Sequence, residues 1–278
     1  MNLPVIDRNG ILKRYPQRHR DSHKGMFGSV VVIGGATGMT GAALLASRAA
    51  LKLGAGSVHA MLLADHAPVV DFVQPELMLH DKGAQIPDAT VIAIGCGIGK
   101  SRDAQEFTEL ALRIDKPLVI DADALNLLAL HADLRSRLAM RRAATVLTPH
   151  PGEAARLLSC SIDEIQQDRM HAAQSLFDLF GCPLVLKGAS SLCRVHDGLY
   201  LNDTGNPGMS APGMGDVLAG MIAALIAQGM SADDALLLAV HLHGAAGDEL
   251  AARGIAIGMT AGELADCARE LLNLWISR

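Results

Sequence analysis

From residue 29 onward, short apolar runs alternate with longer stretches of helical periodicity. The apolar runs are nearly unbroken, which is the pattern of strands buried on both faces of a parallel sheet. The predicted strands are Ser29–Ile33, Ser57–Leu63, a weaker Gln74–His80, Thr90–Ile94, Leu118–Asp121, Thr145–Leu147 and Leu184–Lys187. The predicted helices between them are Ala42–Leu53, one ending near Ile114, one beginning near Asp123, one opened by Glu153 and a long one from the capping box at Ser161 to near Gly181. This alternation favours an α/β fold, a mostly parallel sheet with helices on both faces.

The last third of the chain departs from this pattern. Runs Ser191–Val195 and Leu199–Asn202 flank the turn sequence His-Asp-Gly and predict a hairpin. Helices are predicted over Gly215–Gln228 and Ser231–Ala252, with a C-terminal helix opened at Thr260. Residues 1–24 are polar and are interpreted as an arm or short helix packing on the body. Without a charge-rich linker or an internal repeat, we expect residues 1–278 to form one domain.

Composition narrows the functional classes. Half of the 278 residues are hydrophobic and only 3% are aromatic, as in compact α/β enzymes. A net charge of −5 argues against nucleic-acid binding. Five cysteines, with no Cys-x-x-Cys pair, indicate reduced thiols and a cytoplasmic protein. With no signal-peptide core and no run of about 18 apolar residues, we expect no membrane association.

The stretch Asn202–Gly220, NDTGNPGMSAPGMGDVLAG, carries the strongest chemical signal. Gly213 and Gly215 precede an apolar helical run, and bare backbone N–H groups at a helix start bind anions. Asp216 falls in the first turn of that helix. There it either faces a bound group as a general base or simply caps the helix. The sequence pattern leaves both interpretations open.

Other loops follow predicted strands, where ligands bind in parallel sheets. The glycines at 35, 38 and 41 lack dinucleotide-fingerprint spacing, and the Gly95–Ser101 loop is one residue short of a P-loop. A glycine-lined pocket edge is the better interpretation of both. His150 stands between two prolines, as a held imidazole or as an exposed residue of a rigid turn. Lys187–Ser191 places an ammonium and small residues after a strand, a weak signal for phosphate or ribose contact.

Two further groups have ambiguous roles. Asp121 and Asp123 follow an apolar strand, where a carboxylate helps to order a metal ion, although Asp123 is equally a helix cap. His241 and His243 are two apart and do not share a helical face. We interpret them as packing or polar-edge histidines and assign no metal-ligating residue.

Several of these stretches, taken in order, resemble the ADP/ATP-dependent NAD(P)H-hydrate dehydratases, a carbohydrate kinase-like branch of the ribokinase-like superfamily. The resemblance lies in Ser22–Gly28, the loop 34–43, Gly95-x-Gly97, Leu147–Glu153, Leu186–Gly188, Asn202-x-Thr204-Gly205-Asn206 and Gly213–Asp216. Thr-Pro-His-Pro-Gly-Glu and Asn-x-Thr-Gly-Asn are its specific elements. Met214 and Cys96 depart from the common family residues, at positions where the chemistry needs no side chain.

The resemblance implies a ribokinase-like fold and repair of hydrated NADH and NADPH. ADP, or ATP, would be the co-substrate with Mg²⁺, and dehydration of the S epimer would yield AMP and phosphate. Asp216 would be the catalytic base. The hydrate would contact Ala42, Ala43, Gly95, Gly97, His150 and Asp216, and the nucleotide would contact Lys187, Gly188, Ala189, Ser190, Ser191, Gly213 and Gly215.

Partners and alternatives complete the prediction. The resemblance implies an NAD(P)H-hydrate epimerase as functional partner, which we expect to be a separate protein. The aliphatic composition favours self-association, and a homo-oligomer, a tetramer, is expected. Two alternatives remain at this point: a kinase of a small hydroxylated metabolite that uses the same Asp216, and a non-catalytic nucleotide-binding protein.

Overall fold

A computed structural model describes residues 3–277 of the chain. Its strands are β1 (Ser29–Gly34), β2 (Ser57–Leu62), β3 (Met78–Asp81), β4 (Val91–Ile94), β5 (Leu118–Ile120), β6 (Thr145–Leu147), β7 (Leu184–Leu186), β8 (Leu192–Val195) and β9 (Gly198–Leu201). Its helices are α1 (Arg8–Leu12), α2 (Thr40–Lys52), α3 (Arg102–Arg113), α4 (Ala122–Leu130), α5 (Ala132–Ala139), α6 (Pro151–Leu158), α7 (Ile162–Gln167), α8 (Arg169–Phe180), α9 (Met214–Ala227), α10 (Ala232–Ala252) and α11 (Ala261–Ile276).

These strands form one sheet in the order β3-β2-β1-β4-β5-β6-β7-β8-β9. Neighbours from β3 to β7 pair in parallel, and β7-β8-β9 pair antiparallel as the predicted hairpin requires. The chain runs outward from β1 to β3 and then returns to β4 on the other side of β1. Such a reversal leaves a crevice beyond the carboxyl ends of β1 and β4, where ligands bind in open α/β sheets.

Each face of the sheet has its own hydrophobic core. Along β1, Val30 and Val32 pack into one core with α2, α9, α10 and α11, whereas Val31 and Ile33 pack into the other with α3 to α8. The alternation follows from the two-residue period of a strand. Helix α9 is apolar around most of its circumference because it lies between the sheet and the outer helices. The predicted mostly parallel sheet with helices on both faces is therefore confirmed.

One local prediction was wrong, and one alternative that the sequence left open is excluded. The long helix expected from Ser161 to Gly181 is two helices, because Asp168 leaves helical backbone angles and caps α8 by accepting from the His171 N–H at 2.9 Å. Asp123 is not the cap of α4. Asp121 occupies the N-cap position, and the carboxylate of Asp123 accepts instead from the Gly99 N–H at 3.0 Å.

The polar N-terminal segment contains the short helix α1, whose Ile11 is buried in the core of one face. Met1 and Asn2 of the predicted arm lie outside the described residues. Val5 forms a bridge to Leu201 of the edge strand β9. All five cysteines are free, in keeping with the predicted reduced thiols. Among residues 3–277 no helix combines the length and the apolar character that a bilayer crossing requires.

Candidate active site

The loops that follow β1 and β4 meet at the crevice where the strand order reverses. The Gly35 N–H donates to the Cys96 carbonyl at 2.9 Å, and the Ala36 N–H donates to the Gly97 carbonyl at 2.7 Å. Gly95 has a φ of +123°, and a Cβ there would collide with the Asp121 carbonyl. The residue after β4 is therefore glycine because the backbone after β5 passes directly against it.

A buried ion pair lies at the ends of β5, β6 and β7. The Lys187 Nζ is 2.7 Å from Asp121 Oδ1, which also accepts from the Thr148 hydroxyl at 2.6 Å. Burial alone would lower the pKa of Lys187, but the Asp121 and Glu153 carboxylates outweigh it and raise that pKa. The ammonium therefore stays charged beside the predicted phosphate loop.

Asp216 is the second carboxylate of this group. An oxygen of Asp216, an oxygen of Asp121 and the Cys96 Sγ all lie within 4.8 Å of one another. Burial, followed by the negative charge of Asp121, raises the pKa of Asp216 to about 6, while the Cys96 thiol and Lys187 act in the opposite direction. A carboxylate with that pKa is a better base near neutral pH than an ordinary aspartate.

The start of α9 excludes the capping interpretation of Asp216, whereas its role as a base stays a prediction. Gly213 is the N-cap, with φ +89°, and no side chain caps the helix. A Cβ on Gly213 would crowd Leu45 and lie 3.1 Å from the Ala261 Cβ. The helix thus begins with bare N–H groups, and Asp216 is free of a capping role. The arrangement offers an anion site and a base in one turn.

A cavity of about 550 Å³ opens beside this helix start. A volume of that size is typical of small-molecule sites. Six of the seven residues predicted to contact nucleotide line it, namely Lys187, Gly188, Ala189, Ser190, Ser191 and Gly215. Gly213 adjoins it as the N-cap of α9. A Cβ on Gly215 would lie 3.2 Å from the Lys187 Nζ, which joins the cavity to the ion pair.

None of the residues predicted to contact the hydrate lines this cavity. Ala42 is partly exposed, and its Cβ is close to Gly97. Gly95 and Gly97 are buried at the end of β4. Ala43 has no exposed surface, and its Cβ packs against Gly34 and Gly35. Ala43 therefore presents neither its side chain nor its backbone at the surface, and its contact with the hydrate stays a prediction.

His150 has a defined orientation at the start of α6. Its Nδ1 accepts from the Gly152 N–H at 3.0 Å, so the proton is on Nε2, which is 3.1 Å from Glu153 Oε1. Glu153 in turn accepts from the His150 backbone N–H at 2.8 Å, completing a capping box. The ring is half-exposed, in a rigid turn at the carboxyl edge of the sheet. The imidazole is thus both held in one orientation and partly exposed in a rigid turn, which the sequence offered as alternatives.

Comparison with known proteins shows the family to which the chain belongs. A family model described as "NAD(P)H-hydrate dehydratase" matches residues 30–269. The chain is 42% identical over 266 residues to the ADP-dependent (S)-NAD(P)H-hydrate dehydratase of Neisseria meningitidis serogroup B, covering 93% of this chain and 90% of that protein. The chain belongs to the NAD(P)H-hydrate dehydratase family. The suspected resemblance is confirmed.

A solved structure agrees with this membership. An ADP/ATP-dependent NAD(P)H-hydrate dehydratase from Bacillus subtilis, co-crystallized with ATP/Mg²⁺, matches with a TM-score of 0.87 and 30% identity over 99% of both chains. A bifunctional NAD(P)H-hydrate repair enzyme of Coxiella burnetii is 40% identical over 276 residues, which is 97% of this chain and 55% of that protein. The chain spans about half the length of the relatives named bifunctional.

Within this dehydratase family member, the site also contains residues that sequence reasoning did not assign. The far wall of the cavity is formed by the Asn202–Asn206 segment together with Val240, His243 and Gly244 of α10. Asp248 of α10 holds that segment by accepting from the Gly205 N–H at 2.8 Å and from the Asn206 side chain at 2.9 Å. The Asn-x-Thr-Gly-Asn motif was a usable signal for the segment. The sequence marked His243 of α10 only as a packing or polar-edge histidine, and it did not predict that this residue lines the cavity.

Proposed function

We propose that this chain catalyses the ADP-dependent dehydration of the hydrated S epimers of NADH and NADPH, releasing NAD(P)H, AMP and phosphate. Family membership supports the reaction type, as relatives are named for it. The observation that carries the proposal is that Asp216 lies beside Cys96, in the loop after β4, and directly follows Gly215, which lines the cavity beside α9. A base there reaches a hydroxyl on one side and a phosphate on the other.

In the first step, Asp216 takes the proton of the hydroxyl on the hydrated ring as the hydroxyl oxygen attacks the terminal phosphorus of ADP. The bond between that phosphorus and the bridging oxygen breaks, and AMP leaves. The N–H groups at Gly213 and Gly215 and the Lys187 ammonium stabilise the negative charge on the transferring group. A pKa of about 6 leaves Asp216 ionised at neutral pH and ready to accept the proton.

In the second step, the ring nitrogen's lone pair expels the phosphate from the adjacent carbon, and the next ring carbon loses a proton to restore the double bond. The hydroxyl oxygen leaves with the phosphate. In this proposal Ala42, Ala43, Gly95, Gly97 and His150 contact the hydrate, and residues 187–191, Gly213 and Gly215 contact the nucleotide.

Mg²⁺ fits the site through carboxylate oxygens only. The candidate ligand group contains two carboxylates and the Cys96 thiol, and a protonated thiol is a poor ligand for this hard cation. Burial and the neighbouring carboxylates raise the pKa of the Cys96 thiol, which keeps it protonated. We propose that Asp121 holds an ion carried in by the nucleotide phosphates, where its charge offsets theirs.

The proposal extends to assembly and partners. Val69 and Phe72 are almost fully exposed and Val73 is largely exposed on the loop after β2, which supports burial between copies of the chain in a homo-oligomer, a tetramer. A separate NAD(P)H-hydrate epimerase would supply the S epimer. Light scattering on the purified chain tests the first point, and a monomer at micromolar concentration would contradict it.

Absorbance at 340 nm tests the activity on mixing the protein with hydrated NADH or NADPH, Mg²⁺ and either ADP or ATP. We expect a nucleotide-dependent rise, and a loss on the order of 10²-fold or more in Asp216→Asn, which keeps the shape of the side chain but not its basicity. A flat trace from folded wild-type protein would refute the dehydratase. Accumulation of a stable phosphorylated product would indicate a kinase, and undiminished turnover in Asp216→Asn would exclude Asp216 as the base.

A further inference from the structure

Helix α10 makes a side-chain hydrogen bond to the anion-binding turn. The ring of His243 lines the cavity beside α9, and its Nε2 lies 2.9 Å from the Met214 carbonyl oxygen. A carbonyl only accepts, so the proton of the imidazole is on Nε2. Among the described residues, this is the one side-chain hydrogen bond to the backbone of residues 213–216.

The turn has no capping side chain that would fix it from within the helix. Gly213 is in a left-handed conformation, and the first turn of α9 has no capping side chain. Its position therefore depends on its neighbours. Helix α10 is a suitable support, since it is 21 residues long and packs along α9 and α11.

We propose that His243 is a positioning residue for phosphoryl transfer: its Nε2–H bond to Met214 fixes the Gly213–Gly215 turn where the backbone N–H groups meet the transferring phosphate. This inference rests on the proposed function. His243 reaches no reacting atom in this role and acts through the Met214 backbone. Small displacements of such donors cost large factors in rate, because the donors stabilise charge only when correctly placed.

The chemistry of the ring suits a positioning role. Burial, with a smaller contribution from Lys187, lowers the pKa of His243 to about 4, so the imidazole is neutral at neutral pH. A neutral donor holds the carbonyl without adding charge to the phosphate site. A neutral amide of similar reach should therefore replace it.

Two variants of nearly equal size test the bond. His243→Gln retains an N–H donor near the position of Nε2, whereas His243→Met has the same chain length and no donor. We expect kcat to fall about tenfold or more in His243→Met and to stay within about threefold of wild type in His243→Gln, with the KM for the hydrate little changed in both. His241→Gln and His241→Met are the matched controls, since that side chain packs on Trp275 outside the cavity.

A second readout does not depend on turnover. Hydrogen exchange of peptides spanning residues 213–220, measured by mass spectrometry, should be faster in His243→Met than in His243→Gln. Equal kcat and equal exchange in the two His243 variants would overturn the positioning role. Equal inactivity of both would overturn it in favour of a direct chemical role. An inactive wild type with the expected exchange difference would refute the proposed reaction and leave the turn-holding contact established.

Discussion

Replacing Asp121 by Asn should move the pH dependence of the reaction to lower pH. The change removes a negative charge within 4.8 Å of an oxygen of Asp216. At an effective dielectric constant of about 20, that charge contributes about 3.5 kcal/mol of repulsion. This corresponds to about 2.5 pKa units before solvent is considered, and solvent around the partly exposed site reduces the shift to about one or two units.

The sign follows from the direction of the shift. In the unchanged protein the pKa of Asp216 is raised to about 6, so protonation removes the base as the pH falls through that value. Without the Asp121 charge, Asp216 stays ionised to lower pH. The acidic limb of kcat/KM, which reports the free enzyme, should therefore have its midpoint about one to two units lower.

The assay is release of AMP in quenched samples between about pH 3.5 and 8, with the midpoint and not the height of the profile as the measured quantity. Asparagine retains an acceptor oxygen for the Thr148 hydroxyl and for Lys187, so the fold has its local hydrogen bonds. Asp123→Asn is the matched control. It removes a charge whose effect on the Asp216 pKa is smaller, and its shift should be smaller. An unmoved or upward-shifted midpoint in Asp121→Asn would refute the electrostatic reasoning.

Two further substitutions test the scaffold. Gly213→Ala adds a Cβ that crowds Leu45 at a φ of +89°, and should lower the free energy of unfolding by about 1–3 kcal/mol and abolish most activity. Its control is Gly229→Ala, with φ +104° and open space around the new Cβ, which should lose stability but keep activity. Equal losses of activity in the two variants would contradict a role of Gly213 in the site. Asp71→Asn breaks the buried bidentate pair with Arg48, at 2.7 Å for both bonds, and should cost about 3 kcal/mol in urea unfolding at pH 7. Burial raises the pKa of Asp71, but Arg48 and the Val73 N–H outweigh it and lower that pKa. The difference in unfolding free energy between Asp71→Asn and wild type should therefore be lost as the pH falls below the ordinary value of 3.8. A difference that persisted there would argue against the ion pair.

Periodicity predicted the sheet because each parallel strand is buried on both faces and reads as an apolar run. It failed within residues 161–181, where the helical pattern continues through Asp168 and only backbone angles show the break. Local sequence also left the role of Asp123 open, because its hydrogen-bond partner, the Gly99 N–H, is 24 residues away. Boundaries and caps depend on such tertiary contacts, which periodicity does not contain.

Some residues of the candidate site could likewise be predicted from the sequence, and others could not. Residues 187–191 and Gly215 could be placed because motifs and strand ends are local features of the chain. The ion pair of Lys187 with Asp121 joins residues 66 positions apart, and His243 lies 29 positions from the carbonyl it contacts. Neither contact could be predicted from the spacing of residues along the sequence. The resemblance to a family identified the chemistry, whereas the contacts that tune the chemistry needed the fold.

Two of the segments around the cavity beside α9 are hydrogen-bonded to helix α10, residues 202–206 through Asp248 and the turn at Met214 through His243. A cavity supported in this way exists before its ligand arrives, so little chain ordering accompanies binding. The heat-capacity change of nucleotide binding, measured by calorimetry, should then reflect only the surface covered by the ligand. The second-order association rate constant should likewise stay free of any slow isomerisation step.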